Sequence, residues 1–316
     1  MFERFNVRPW PGRPITEPGI YSDVPMDVYH GANLCDGPSI SSSGLRTIFL
    51  KSAAHYWMDS PYNPKRREPK EKEAYVLGRA AHHIVLGQAE FSRYYRIRPE
   101  VLNGKPWHAS RNDCKDWLAD NAGFTILSPD IARRVKGIAE ALLDFPLVQK
   151  GVLNGLVEHT VVWRDQETGI WCKIRPDAIP NDGGDATDLK TTVSCQRDDL
   201  QRSFGEYGYN QQAAFILEGL SLALGLESGD FGFLFAESEM PHIVKFRTVA
   251  PEEIKAGHTE NHAALRHFKA CLGTNLWPDY DLGRSDGGYL VRKPWDVTTA
   301  ERRVHELAFA SESQAA

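Results

Sequence analysis

The sequence predicts an α/β or α+β domain with a mixed β-sheet flanked by helices. Segments with helical periodicity come first, segments with strand periodicity follow, and a helix, two strands and a further helix complete the order. Composition agrees with a folded domain, because 41% of the 316 residues are hydrophobic and 25% are charged. This length allows one large domain or two small ones.

Five segments have the apolar spacing and the end signals of amphipathic helices. They are residues 38–61, 73–87, 128–146, 209–225 and 251–272. Serines near the start of the first segment can cap a helix, and Gly87 can end the second. Ser128 is a predicted N-cap with Pro129 in the first turn, and Pro251 opens the last helix in the same way.

Five other segments alternate or run apolar between turn residues and are predicted to be strands. They are residues 155–163, 169–179, 185–191, 230–238 and 242–249. Residues 1–17 are rich in Pro, Arg and Gly and are expected to form a loosely ordered arm. A polar, Ala- and Ser-rich tail is expected over residues 296–316, which leaves residues 18–295 as the domain.

Composition also argues against several classes of protein. No run approaches 18 consecutive apolar residues, so neither a membrane span nor a membrane partner is expected. The stretch MFERFNVRPWPGRP lacks the apolar core of a signal peptide, and a cytoplasmic location is therefore expected. Five scattered cysteines without a CxxC pair predict free thiols rather than disulfides, a cysteine zinc site or an iron–sulfur cluster. The net charge of −5 only weakly disfavours nucleic-acid binding, since local basic patches decide affinity for phosphate.

One stretch, IRPDAIPNDGGDATDLK, carries two carboxylates and an amine. If its two apolar halves form a hairpin, Asp188 and Lys190 share one face of a strand and Asp177 can lie alongside them. Two carboxylates about 4 Å apart repel by roughly 4 kcal/mol at an effective dielectric of 20, so a divalent cation such as Mg²⁺ would compensate them. An ammonium beside a metal-bound water suits phosphodiester hydrolysis. The alternative is that PNDGGD contains only turn formers.

The motif RPDAI…DLKT resembles the signature of the PD-(D/E)xK nuclease superfamily, and in particular its RecB-like branch with the exonuclease VIII (RecE-type) and phage-encoded exonucleases. Three other stretches resemble the same branch: SISSSGLRTIFLKSAAHYW, LGRAAHHIVLG and YGYNQQAAFILEG. The likeness covers residues 18–285. It implies a single nuclease domain with a mixed central sheet flanked by helices.

The resemblance also implies roles for particular residues. The implied metal ligands are His82, Asp177, Asp188 and the backbone carbonyl of Leu189. Lys190 would position the nucleophilic water, Gln212 would lie near the lysine or the scissile phosphate, and Glu158 would be an outer carboxylate. The neighbours His83 and Gln211 stay open as alternatives to His82 and Gln212.

Candidate DNA contacts come from mixed basic and aromatic segments. Lys65, Arg66 and Arg67 are the preferred basic residues, within a charged segment that could equally be a solvated loop. Tyr209, three residues before Gln212, could contact DNA or pack in the core.

The function that the resemblance implies is a Mg²⁺-dependent exonuclease, with Mn²⁺ as a substitute. Such an enzyme digests linear double-stranded DNA from the 5′ end and exposes a 3′ single strand for recombination. Expected partners are double-stranded DNA ends, a single-strand annealing recombinase of the RecT kind and further copies of the chain in a ring-shaped homo-oligomer. A structure-specific or restriction-like endonuclease and a non-catalytic DNA-binding or assembly module are the alternatives.

Overall fold

A computed structural model describes residues 5–67, 71–87, 90–181, 185–225, 229–280 and 291–315. The chain divides into two compact units, residues 1–279 and 280–316. Strands and helices alternate through the first unit, which confirms the predicted mixed α/β class. Within the described residues, no helix is both long and apolar enough to cross a lipid bilayer.

The elements are numbered in chain order. The strands are β1 (Val7–Pro9), β2 (Gly19–Ser22), β3 (Ser39–Ser41), β4 (Tyr95–Ile97), β5 (Val101–Leu102), β6 (Lys105–Pro106), β7 (Thr125–Leu127), β8 (Gly155–Val157), β9 (Thr160–Arg164), β10 (Trp171–Ile174), β11 (Ala178–Pro180), β12 (Ala186–Thr192), β13 (Phe231–Glu237) and β14 (Val244–Thr248). The helices are α1 (Met26–His30), α2 (Ser42–Leu50), α3 (Ala53–Asp59), α4 (Glu73–Leu86), α5 (Asn112–Asp120), α6 (Pro129–Leu143), α7 (Pro146–Gln149), α8 (Arg197–Glu206), α9 (Tyr209–Leu224), α10 (Pro251–Thr274) and α11 (Pro294–Ala315).

The larger sheet has five strands in the order β1-β2-β9-β10-β3, with both parallel and antiparallel pairs. Alternation along β10 separates its two faces. Cys172 and Ile174 lie in the core that α2, α9 and α10 cover, whereas Trp171 packs with Ile15 and Tyr21 on the other face. The sheet is therefore buried on both sides in this region.

A second sheet of three strands, in the order β12-β13-β14, carries the DLK motif. β12 pairs parallel with β13 and has no strand on its other side among the described residues, so it is an edge strand. Leu189 packs into the core beneath α4 and α6, while Phe233 and Phe235 of β13 face α9. β12 consequently has one face toward α4 and the opposite face toward α9.

The predicted hairpin around the acidic residues is wrong. β10 pairs with β9 and β3, β11 pairs with β8, and β12 takes β13 as its partner. Asp177 lies between β10 and β11, outside either strand. Strand periodicity shows that a segment is extended, but the partner is chosen by tertiary packing, and here it comes from residues 231–237.

Most predicted helix signals are confirmed. Ser128 accepts the N–H of Ile131 and caps α6, and Gly87 ends α4 in the left-handed conformation at φ 66°. The segment 38–61 differs, because it forms two helices rather than one. Ser52 breaks it by accepting the N–H of His55 as the N-cap of α3.

The two ends of the chain also differ from the expectation. Residues 7–9 of the expected arm form β1 and pair with β2, and Phe5 and Ile15 are buried. Burial of Phe5 and Ile15 holds this segment against the domain despite its Pro and Gly residues. Within the second unit, residues 294–315 form α11 instead of an irregular tail.

We predict opposite effects for two alanine substitutions in α10. A Cβ on Gly257 would lie 2.3 Å from the carbonyl oxygen of Asn210 in α9, whereas a Cβ on Gly273 would meet no atom of the described residues within 4 Å. Gly257→Ala should therefore cost about 1–3 kcal/mol of unfolding free energy through overpacking. Gly273→Ala should gain up to about 1 kcal/mol through helix propensity. Urea unfolding of both variants measures the difference, and equal stabilities would contradict the close contact of α9 and α10.

Candidate active site

The close approach of α4 to β12 places His82. Gly78 lies over β12, where a Cβ would be 3.3 Å from Oγ1 of Thr191, so α4 and β12 are in close contact at this point. One turn later, Nδ1 of His82 lies 2.8 Å from the carbonyl oxygen of Gly78. This contact aims the other ring nitrogen, Nε2, at the edge of β12.

Nε2 of His82 lies 2.8 Å from the carbonyl oxygen of Leu189 and 3.4 Å from Oδ2 of Asp177. Both ring nitrogens thus face oxygen acceptors, and an imidazole satisfies two acceptors only when both nitrogens carry protons. Burial acts to lower the pKa of His82, but Asp177, the Gly78 carbonyl and Asp188 together outweigh it and raise this pKa to about 9.

Asp177 is held against β12 by a backbone hydrogen bond. The N–H of Leu189 donates to Oδ2 of Asp177 at 2.6 Å. Since β12 is an edge strand in the part of the chain that the structure describes, this N–H and the carbonyl that faces His82 have no strand there to pair with. Burial would raise the pKa of Asp177, but His82, Lys190 and the N–H of Leu189 hold it below its usual value.

Asp188 and Lys190 project from the other face of β12, toward α9. The Lys190 ammonium forms an ion pair with Oδ2 of Asp188, and Nε2 of Gln212 donates to Oδ1 at 2.8 Å. Asp188 is only 5% exposed. Burial raises its pKa against the opposing effect of Lys190, and the nearby Asp177 raises it further.

These donors fit a hard divalent cation. In an octahedral site with oxygen ligands at 2.0–2.1 Å from the ion, neighbouring ligands lie about 3 Å apart. Nε2 of His82 has similar separations, 2.8 Å from the Leu189 carbonyl oxygen and 3.4 Å from Oδ2 of Asp177. Oε1 of Gln212 is buried without a hydrogen-bond partner among the described residues, so the site also offers an unused acceptor. A cation bound here would replace the Nε2 proton and leave the Nδ1 contact to Gly78 in place.

The sequence profile of a family described as "PDDEXK-like domain of unknown function" matches residues 41–286. The chain belongs to this family. The crystal structure of a "Putative exonuclease" from Eubacterium rectale superposes with a TM-score of 0.54 at 15% identity, covering 81% of this chain and 90% of that one. That likeness confirms the nuclease fold of the PDDEXK-like domain.

A second crystal structure, of a phage related exonuclease from Haemophilus somnus 129PT, aligns at 13% identity over 62% of this chain and 94% of that one. Its TM-score of 0.29 is too low to support an argument. No curated protein matches the sequence.

The structure separates the two pairs of neighbouring candidates in the PDDEXK-like domain. His83 contacts the rings of Phe91, Tyr94 and Tyr95, away from the aspartates. Gln211 is fully buried and pairs with Asn261 of α10. His82 and Gln212 are therefore the members of each pair that reach the acidic cluster.

Tyr209 and Arg46 both act electrostatically on Asp188, and Tyr209 also lies beside Lys190. Its ammonium is 5.6 Å from the ring centroid of Tyr209, which packs on Phe233 with centroids 4.9 Å apart. Burial, with Asp188 nearby, raises the pKa of Tyr209 to about 12. Arg46 of α2, which sequence reasoning missed, donates to the carbonyl of Tyr207 at 2.7 Å. Burial lowers the pKa of Arg46, while its attraction to Asp188 opposes that shift.

Glu158 is not on a strand, contrary to the expectation. It lies between β8 and β9 with φ 47°, and its N–H donates to the carbonyl of Asp177 at 3.2 Å. Its backbone thereby supports the segment that carries Asp177. Its carboxylate acts electrostatically on Tyr95 and Arg175.

The basic segment lies elsewhere on the first unit. Lys65, Arg66 and Arg67 are exposed, and the two arginines line a cavity of about 620 Å³. Ser41, Ser43 and the buried Lys173 line the same cavity. Among the described lining residues, Asp59 is the one acid and the other charged groups are cationic or histidine, so this part of the cavity presents donors suited to a phosphate group.

His82→Ala should weaken Mn²⁺ binding, and His83→Ala should not. Removing the imidazole takes away a nitrogen that faces both Leu189 and Asp177, and even outer partners of metal ligands are worth roughly 10–100-fold in affinity. Isothermal titration calorimetry with Mn²⁺ measures the change, with thermal melts to confirm that both variants fold. Unchanged affinity in His82→Ala would remove this histidine from the metal site.

Proposed function

We propose that the protein is a metal-dependent deoxyribonuclease that hydrolyses phosphodiester bonds at the edge of β12. The observation that carries the proposal is the convergence of Asp177, His82 and the Leu189 backbone on one side, with Asp188 and Lys190 on the adjoining strand positions. A pair of buried acids with only a structural role does not account for the imidazole of His82 or for Oε1 of Gln212, which has no hydrogen-bond partner among the described residues.

Each side chain has a definite task in this reaction. His82, Asp177, Asp188 and the Leu189 carbonyl would hold the cation. The cation would act as a Lewis acid that lowers the pKa of a water and stabilises charge on the phosphate. Lys190 orients the attacking water and balances negative charge in the transition state. Gln212 fixes the rotamer of Asp188, because Nε2 of Gln212 donates a hydrogen bond to Oδ1 of Asp188.

The finer part of the proposal is an exonuclease that prefers Mg²⁺, accepts Mn²⁺ and degrades linear double-stranded DNA from the 5′ end. Supporting it are the resemblance of four motifs to RecE-type exonucleases and the name of the Eubacterium rectale structure, a "Putative exonuclease". The same resemblance supports work in recombination beside a single-strand annealing recombinase, and a ring of identical chains around DNA. Lys65, Arg66, Arg67 and Tyr209 are the proposed DNA contacts.

An assay with linear and with closed circular duplex DNA tests the activity. In the presence of Mg²⁺ or Mn²⁺, we expect loss of the linear DNA alone, and no loss after chelation with EDTA. Labels on the 5′ and on the 3′ strand ends report the polarity, with the 5′ label released first. Cutting of the circle would instead favour an endonuclease, and binding without loss of either DNA would favour a non-catalytic module.

Lys190→Met should lower the rate of hydrolysis by roughly 10²–10⁴-fold, because the water loses its positioning group. Lys245→Met is the matched control, since Lys245 is an exposed lysine on β14 of the same sheet. Single-turnover cleavage of a labelled duplex measures both rates, and circular dichroism confirms folding. Near-normal turnover in Lys190→Met would contradict the role given to this lysine.

The basic cavity should contribute to DNA affinity rather than to the chemical step. Replacing both Arg66 and Arg67 by Ala should weaken duplex binding and reduce the slope of log K against log salt by about 2, at roughly 0.9 per phosphate contact. Fluorescence anisotropy in the Lys190→Met background measures binding without cleavage. Arg133→Ala is the control, because exposed Arg133 is already paired with Glu100 at 3.0 Å. An unchanged salt slope would place the DNA elsewhere.

A further inference from the structure

A second group of metal-ligating side chains lies between α9 and α10. Its members are Glu218 of α9 and His258 and His262 of α10, with one ligand atom from each lying within 4.8 Å of the others. The two histidines are four residues apart on a helix, so their rings point to the same face. None of these residues belongs to the acidic cluster on β12.

The distances inside the group lie at or beyond the long end of hydrogen bonding and also match a metal site. One carboxylate oxygen, Oε2 of Glu218, is 3.3 Å from Nε2 of His262 and 3.7 Å from Nε2 of His258. Nitrogen–oxygen hydrogen bonds usually span 2.7–3.2 Å. Ligands bound to tetrahedral Zn²⁺ at about 2.0–2.2 Å lie roughly 3.4 Å from one another.

A supporting carboxylate is already in place behind His262. Oδ2 of Asp165 lies 3.8 Å from Nδ1 of His262, on the side of the ring away from Glu218. Asp165 is buried, and its other oxygen accepts the N–H of Thr168 at 2.7 Å and the Thr168 hydroxyl at 2.5 Å. At 3.8 Å this carboxylate is too far for a direct hydrogen bond, but its charge favours a proton on Nδ1, which leaves Nε2 free to bind a metal.

The surroundings leave access for an ion and one open coordination position. Glu218, His258 and His262 line a cavity of about 720 Å³, and His258 has 56% of its side chain exposed. Two imidazoles and one carboxylate suit zinc better than magnesium, which prefers oxygen ligands alone. The group contains no cysteine, and the five cysteines of the chain are free and buried, so it is unlike the cysteine zinc site that the sequence argues against.

We propose that Glu218, His258 and His262 form a zinc-binding site that joins α9 to α10, with a water from the cavity as the fourth ligand. Asp165 acts as the outer partner of His262. The bound ion links helices that already pack closely, and so it stabilises the folded first unit. This site is separate from the cation site proposed on β12 and does not depend on the nuclease activity.

Co²⁺ is the spectroscopic probe for this site, because tetrahedral Co²⁺ absorbs strongly in visible light. With millimolar Mg²⁺ present to occupy oxygen-rich sites, we expect one tetrahedral Co²⁺ per chain, displaced by Zn²⁺. We also expect Zn²⁺ at about 100 times its Kd to raise Tm by about 5 °C. His258→Ala should lose both the Co²⁺ absorption and the Zn²⁺-dependent Tm shift. Because the His258 side chain is 56% exposed, this substitution should not disturb folding, so the loss would report on metal binding.

Two controls separate the sites. His82→Ala, which alters the β12 cluster, should keep the Co²⁺ absorption and the Zn²⁺-dependent Tm shift. His267→Ala, a change on the same helix beside Cys271, should keep them as well. Absence of tetrahedral Co²⁺ in the unaltered protein, or its survival in His258→Ala, would overturn the proposal. Because no DNA enters these measurements, failure of the nuclease assay leaves their outcome unaffected.

Discussion

The candidate active site depends on how the backbone of one residue is satisfied. Leu189 lies on an edge strand, where its outward N–H and C=O face no other strand of the described segments. Asp177 accepts from the N–H, and His82 contacts the carbonyl. These two contacts replace a missing strand pair with a carboxylate and an imidazole. The edge of this sheet thereby becomes the place where α4, the β10–β11 connection and β12 meet.

The burial of Asp177 and Asp188 explains why positively charged side chains lie beside them. Asp188 and Asp177 are removed from most of the solvent, and uncompensated buried carboxylates are costly. Within the chain, Lys190 pairs with Asp188 and His82 with Asp177, so each acid has its own positive partner. Burial raises the pKa of both acids, but for Asp177 the charge and hydrogen bond of His82 outweigh it, with help from Lys190 and the Leu189 N–H. For Asp188, burial together with repulsion from Asp177 outweighs the attraction of Lys190. A divalent cation would take over the charge balance and release Lys190 toward water and phosphate.

The packing of α9 serves two sites on different faces of that helix. Gln212 faces β12, Gln211 binds Asn261 of α10, and Glu218 faces the histidines further along α10. Gly257 permits this because it lets α10 approach the carbonyl of Asn210 closely. One helix contact consequently positions both a residue of the candidate nuclease centre and the ligands of the proposed zinc site. Rigid helix packing of this kind holds side chains more accurately than loops do.

Local sequence determined the elements of this protein, and tertiary structure decided their partners. The caps at Ser128 and Gly87 and the alternating strands are set by interactions within a few residues, so the sequence predicts them correctly. Motif order likewise pointed to Asp177, Asp188, Lys190 and the PDDEXK-like family. The parallel β12–β13 pair, the position of Arg46 and the meeting of Glu218 with two distant histidines depend on contacts between segments far apart in the chain. Periodicity carries no information about such contacts, because it reports which face is buried and not what covers it.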